Sequence, residues 1–187
     1  MNEVLTAIAD RSSIRGYTDE KLTEEEVRTL VTAGLQAPTA ANKQEVHISV
    51  VSGGDPVLAE IDEERRRLVL ASDADEAFKE NVKNSSVNFY YSAPTVLVLS
   101  VDKSFYWGKL DAGIAVENIS LAAHSLGLGS LIIGCIDAAL KGEKGAEFAK
   151  TLKFPENYEF AIAVAVGHKN TEKTPHEFDY EKSVSIV

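Results

Sequence analysis

The segment RSSIR, Arg11 to Arg15, alternates cations with hydroxyls. In an extended backbone Arg11, Ser13 and Arg15 point to one side, with Ser12 and Ile14 on the other. Two guanidiniums and a hydroxyl on one face suit a phosphate, since each guanidinium can bond two oxyanion oxygens at once. Arginines just past a helix end also complement its dipole, and spacing alone favours that plainer role. A second polar group lies in APTAANKQE, Ala37 to Glu45. Pro38, Thr39, Asn42 and Gln44 place amides and a hydroxyl on a proline-stiffened loop. An amide side chain both donates and accepts, which suits the edge of a heterocycle, though the same residues are ordinary turn formers.

Other chemistries are disfavoured. GLGSLIIG, Gly127 to Gly134, is not a dinucleotide fingerprint, because a helical pattern precedes it where a strand is required. Its glycines read as a helix stop and as a close approach of backbone to a ligand. His47, His124, His168 and His176 are dispersed without metal-ligand spacing, so no structural zinc is expected. The chain has no nucleophile elbow and no phosphate-binding P-loop. Cys135, the single cysteine, excludes an intrachain disulfide and reads as a small buried hydrophobe.

These residues need a frame. The chain has 187 residues, 44% hydrophobic and 26% charged, with a formal net charge of -10. That length can bury a sizeable core. The acidic balance argues against nucleic acid and anionic lipid as partners. No signal-peptide pattern opens the chain, and its apolar runs are too short to span a bilayer, so a cytoplasmic location is expected.

Val4, Leu5, Ile8 and Ala9 mark an amphipathic first helix. Thr23 and Glu26 form a capping box for a second, with Val27, Leu30, Val31, Gly34 and Leu35 as its buried stripe and Pro38 as its stop. VHISVVSG, Val46 to Gly53, reads as a strand. Residues 56–84 read as a solvated helical insertion whose acids face water. PTVLVLSVD, Pro94 to Asp102, reads as a strand buried on both faces. A nearly all-apolar helix from Asp111 to Leu126 belongs in a core or a subunit interface and ends at Gly127 and Gly129. SLIIG is a short strand or turn, and Tyr158 to Gly167 is a third buried strand. Residues 168–187 form an extended tail. The irregular order of strands and helices favours an α+β domain over a doubly wound sheet.

Taken in order, RSSIR, APTAANKQ, YYSAPTVLVLSVD, DAGIAVENISLAAHSLGLGSLIIG and FAIAVAVG resemble the motifs of the nitroreductase family of flavin enzymes across nearly the whole chain. The resemblance implies one α+β domain, 1–187, with a mostly antiparallel central sheet, in an intertwined homodimer that binds FMN at the subunit interface. It implies NAD(P)H as reductant and ping-pong transfer through flavin N5 to nitroaromatic or quinone acceptors. Reductive dehalogenation, flavin breakdown, or flavin binding without turnover are the alternatives. By the same resemblance, Arg11, Ser13 and Arg15 bind the phosphate and ribityl chain, with Arg15 in reach of the pyrimidine edge, and Ser12 contributes through its backbone. Pro38, Thr39 and Asn42 meet the ring from the partner subunit, and Gln44 starts the strand beneath it. Asn88, with Asn84 as a weaker candidate, faces the ring's polar edge. Ile133 and Gly134 present backbone near N5. Lys169, Lys173 and His176 are the candidates to complete the phosphate site from the tail. No catalytic side chain and no metal ligand are implied. Two departures from the pattern stand out: Glu45 and Val46 replace a proline and an aromatic, and the tail lacks the usual arginine.

Overall fold

The computed structural model describes residues 2–187. Helix α1 spans Glu3–Asp10 and α2 spans Glu24–Leu35, the latter opened by the Thr23–Glu26 capping box. Strand β1 is His47–Ser52 and β2 is Thr95–Asp102. Helices α3, Pro56–Ala71, and α4, Glu76–Asn84, lie between them. Then come α5, Gly108–Ser125; β3, Leu128–Ile133; α6, Asp137–Lys141; α7, Gly145–Thr151; β4, Tyr158–His168; and α8, Tyr180–Ser183.

The four strands form one antiparallel sheet in the order β1-β2-β4-β3. The α+β expectation holds, and β2 is buried on both faces as its unbroken apolar run requires. The two-residue side-chain period divides β2 between two cores. Val96 and Val98 pack with Leu58 and Ile61 of α3, Phe148 of α7 and Phe160. Leu97, Leu99 and Val101 pack with Leu30 of α2 and Ala112, Ala115, Val116 and Ile119 of α5. Helices thus cover both faces, and α5 is a core helix along one side.

The structure corrects several expectations. Segment 56–84 is helical but not merely solvated: Val57, Leu58 and Ile61 are core, and the acids Asp62 and Glu64 are buried too. Both acids have cationic partners. Asp62 accepts from Arg65, Arg66 and the Phe89 N–H, and Glu64 accepts from Arg67. Leu35, expected in the buried stripe of α2, is exposed, and so are Val4, Leu5 and Ile8 of α1. Gly127, with φ at 76°, does close α5. Gly129 does not; it lies within β3, where a β-carbon would stand 2.8 Å from a methyl of Ile14. Three short helices were not expected: α6, α7 and α8, the last a single turn in the tail expected to be extended.

Candidate functional site

Residues 11–17 leave α1 and lie along the open edge of β3 and the exit of β4. The Ile14 N–H donates to the Ser130 carbonyl at 2.9 Å, and Ser13 bridges Ser130 in parallel. Tyr17 bridges Lys169, and the Thr18 N–H donates to the His168 carbonyl at 2.8 Å. The Tyr17 hydroxyl ties the segment to itself by donating to the Ile14 carbonyl, and Asn170 donates to the Tyr17 carbonyl. Ile14 is the buried peg of this strip, 5% exposed, seated where Gly129 leaves room.

That docking joins the two ends of the chain around a cavity of about 240 Å³. Arg11 and Ser12 line it from one end, Lys169 and Lys173 from the other, with His124 and Glu172 between. The Ser12 hydroxyl donates to the Lys173 carbonyl at 2.7 Å, which fixes the tail against the strip. Arg11 faces Glu117 of α5 with Nε 3.5 Å from the carboxylate, and Lys169 pairs with Glu172 at 2.9 Å. With the Ser12 hydroxyl committed to Lys173, the remaining donors, one guanidinium and two ammoniums, fit a phosphate. Both tail lysines are present, so the structure does not choose between them.

The expected alternation is only partly realised. Ser13 and Arg15 are not among the walls of this cavity, whereas Ser12 is. Ser13 pairs through its backbone with Ser130, and Arg15 is exposed with its guanidinium 5.8 Å from the centroid of the Tyr91 ring. His176 is exposed and also lies outside.

Pro38, Thr39, Asn42 and Gln44 do come together, lining a second cavity of about 520 Å³ with Leu35, Val46 and Ala115. The loop that carries them is under local strain. Ala41, Asn42 and Gln44 hold φ of 54°, 51° and 53°, which only surrounding contacts can maintain in residues other than glycine. The Thr39 hydroxyl accepts from the Gln44 N–H at 2.9 Å, and the Gln44 amide donates to Asn42 at 3.0 Å. The main anchor is Asp111 of α5, 2% exposed, whose carboxylate accepts the Ala40 N–H at 3.0 Å. The two cavities share no residue.

Asn88 lines neither cavity. Its amide accepts the Ser92 N–H and donates to the Ser92 hydroxyl, closing a turn in which Tyr91 and Ser92 have φ of 52° and 56°. Asn84 is exposed at the end of α4, its amide 3.5 Å from Glu80. Ile133 is buried in the core at the end of β3. Gly134 follows it, exposed, where a β-carbon would make ordinary contact with a methyl of Ile162 at 3.7 Å. Cys135 is exposed, not buried as expected.

Sequence reasoning missed Glu117, His124 and Asp111 as site residues. Glu117 and His124 are seven residues apart, two helical turns, so they share the face of α5 turned to the strip. That spacing was readable once Arg11 was placed there. Among the described residues no group of His, Cys, Asp and Glu has metal-site geometry, and no helix is long and apolar enough to cross a membrane.

With cations from both chain ends converging beside an antiparallel sheet, the fold and cavity define a class that comparison with known proteins identifies. Residues 8–168 match the Nitroreductase family, and the chain belongs to that family. It is 31% identical over 180 residues to a putative NADH dehydrogenase/NAD(P)H nitroreductase of Archaeoglobus fulgidus, covering 96% of this chain and 92% of that one. It is 31% identical over 183 residues to an FMN reductase [NAD(P)H] of Bacillus subtilis, covering 90% of this chain but only 66% of that longer relative. Among solved structures, a nitroreductase with bound FMN from Desulfitobacterium hafniense superposes with a TM-score of 0.90 at 31% identity, covering 100% of this chain and 99% of that one.

Proposed function

We propose that the chain is a single-domain FMN-dependent oxidoreductase that takes reducing equivalents from NAD(P)H and passes them to a small acceptor in a ping-pong cycle. Nitroaromatics and quinones are the acceptor classes we propose. The carrying observation is the meeting of Arg11 and Ser12 with Lys169 and Lys173 around one cavity, in a fold whose FMN-bound relatives superpose on it closely. The single cysteine fits work in a reducing cytoplasm.

When bound, FMN supplies the redox chemistry. The protein's part is to hold and orient it. Arg11, Lys169 and Lys173 would take the phosphate, with Arg11 exchanging its long contact to Glu117 for a better-aligned oxyanion. The Ser12–Lys173 hydrogen bond keeps the tail in place while they do so. The loop from Pro38 to Gln44 offers amides and a hydroxyl to a ring edge, and the exposed backbone at Gly134 leaves an approach open. No side chain is assigned proton transfer.

One chain presents the cation cavity and the amide cavity separately. We infer that a homodimer joins one cavity of each kind across its interface. The exposed apolar face of α1, Val4, Leu5 and Ile8, supports this, since such a face on a short helix ordinarily has a partner. The test is the visible spectrum of the purified protein after FMN addition, then after NADH and NADPH in turn. Flavin retention with bleaching by either nucleotide is expected. A protein that retains no flavin sinks the reading, and bound flavin that neither nucleotide bleaches moves it to binding without turnover.

A further inference from the structure

Glu45 stands where the strained loop becomes β1. Gln44 and Val46 on either side of it line the amide cavity, and Glu45 does not. Its side chain runs instead beneath the start of α5, with Oε1 3.4 Å from the place a β-carbon on Gly108 would occupy. Both carboxylate oxygens are shielded from solvent, and neither has a hydrogen-bond partner. No other side-chain oxygen or nitrogen among the described residues is in that state. A carboxylate so placed has lost its hydration without compensation, whereas a neutral carboxylic acid tolerates the position far better.

The neighbours do not offer a counter-ion. Asp111 approaches from α5, Asp102 from the end of β2, and the Tyr158 phenol from the start of β4. Asp111 is engaged with the Ala40 N–H, and Asp102 with Ser104 and Asn157. Lys109 of α5 is turned to Glu159 of β4. Lys43, on the same loop as Glu45, is the weakest of the influences on it and lies 5.7 Å from the centroid of the Phe105 ring. Burial pushes the Glu45 carboxyl upward from its ordinary value of 4.5. Its own N–H, out of hydrogen-bonding alignment, opposes this, and Asp111 and Asp102 reinforce it.

We propose that Glu45 is a positioning residue that, as a neutral acid packed beneath α5, holds the loop from Pro38 to Gln44 in its cavity-lining shape, and as a carboxylate releases it. It lines neither cavity and acts through Gln44 and the anchor at Asp111. The link to flavin rests on the function proposed above, while the protonation and packing of Glu45 do not. The sign follows from linkage. The folded protein binds this proton more tightly than the unfolded chain does. The stabilisation is therefore present below the ordinary carboxylate value and is lost as pH rises through the folded one.

Two measurements on the full chain decide the matter. In the first, the Glu45 carboxyl carbon is titrated by NMR without cofactor, assigned by its loss in Glu45→Gln. A midpoint above the ordinary 4.5 is expected, and a midpoint at or below it overturns the proposal. In the second, FMN affinity is measured by fluorescence quenching between about pH 5 and about pH 8 for both proteins. The wild type should weaken with rising pH by up to about tenfold per pH unit within the window, the limit for one proton. Glu45→Gln, which mimics the neutral acid, should bind as the wild type does at low pH and lack that slope. Equal slopes in the two proteins overturn the proposal. If neither protein binds FMN, the flavin reading fails, and the NMR titration still decides the state of Glu45.

Discussion

Arg11 has little to hold in the protein alone. Its guanidinium meets Glu117 at 3.5 Å, a long contact between a mostly buried arginine and a half-exposed carboxylate. A pair this long, with one partner still reached by water, contributes little to stability. Arg11→Ala should therefore leave the melting temperature nearly unchanged while weakening FMN binding by about tenfold to a hundredfold, the worth of one charge-assisted hydrogen bond. Thermal melting beside a fluorescence titration checks both halves, and an unchanged FMN affinity would remove Arg11 from the phosphate site. Asp111 is the opposite case. Its carboxylate is buried and satisfies a backbone N–H, so Asp111→Ala leaves the Ala40 N–H unpaired at a cost of about 1 to 3 kcal/mol. Stability and flavin affinity should fall together, read by chemical denaturation and the same titration. The sequence exposed Arg11 because its alternation with serine is local. It hid Asp111 because the partner is backbone 71 residues away, and nothing in DAGIAVEN announces that contact.

At the level of elements, the seat of the RSSIR strip depends on one missing side chain. A β-carbon on Gly129 would stand 2.8 Å from a methyl and 2.9 Å from the β-carbon of Ile14, the second being an atom that cannot rotate away. Gly129→Ala should lift the strip from β3 and raise amide exchange across residues 12–17. It should also weaken FMN binding more than it lowers stability. Exchange mass spectrometry locates the effect, and unchanged protection there would rule it out. A second fastening lies at the far end of α3. Arg66 donates to the carbonyls of Val82, Ser85 and Val87 while pairing with Asp62, and so pins the chain leaving α4. Arg66→Met should open residues 82–88 to limited proteolysis. This is where pattern reading fell short. Charge density in 56–84 reads as a solvated face, yet Asp62 and Glu64 are buried because three consecutive arginines, Arg65, Arg66 and Arg67, neutralise them within a turn. The helices α6 and α7 escaped notice because five and seven residues, each bounded by glycine, show too little period to read. Strands β2 and β4 were legible because β2 and the latter half of β4 are buried without a break, which leaves an unbroken apolar run.

At the scale of the molecule, the two cores follow from side-chain alternation in β2, whereas the strand order and the proposed joining of cavities across two chains do not. The exposed apolar face of α1 is one feature that a single chain leaves unexplained. Replacing Leu5 and Ile8 by glutamate should shift sedimentation from dimer to monomer and abolish flavin retention in the same step. A monomeric variant that keeps its FMN would show that one chain suffices. Stability should also decline in acid. Hydrogen bonds from Ser104 and Asn157 hold Asp102 below its ordinary value, and the Thr23 backbone does the same for Glu26. Those contributions are present above the ordinary carboxylate values and disappear as pH falls through the lowered ones.

The hydrogen bond from Ser12 to Lys173 joins residues 161 apart, and the bridge from Tyr17 to Lys169 lies beside it. Such closures come late, since loop entropy must be overcome before they are rewarded. On the ribosome, the strip's partner in β3, Ser130, emerges first, and its partners His168, Lys169 and Lys173 emerge only later. Cofactor capture then reports completed synthesis: a truncated chain ending before Lys169 could assemble most of the sheet yet would lack half of the cation cavity. Flavin retention is in this sense a report that the segment carrying Lys169 and Lys173 has docked on the N-terminal strip.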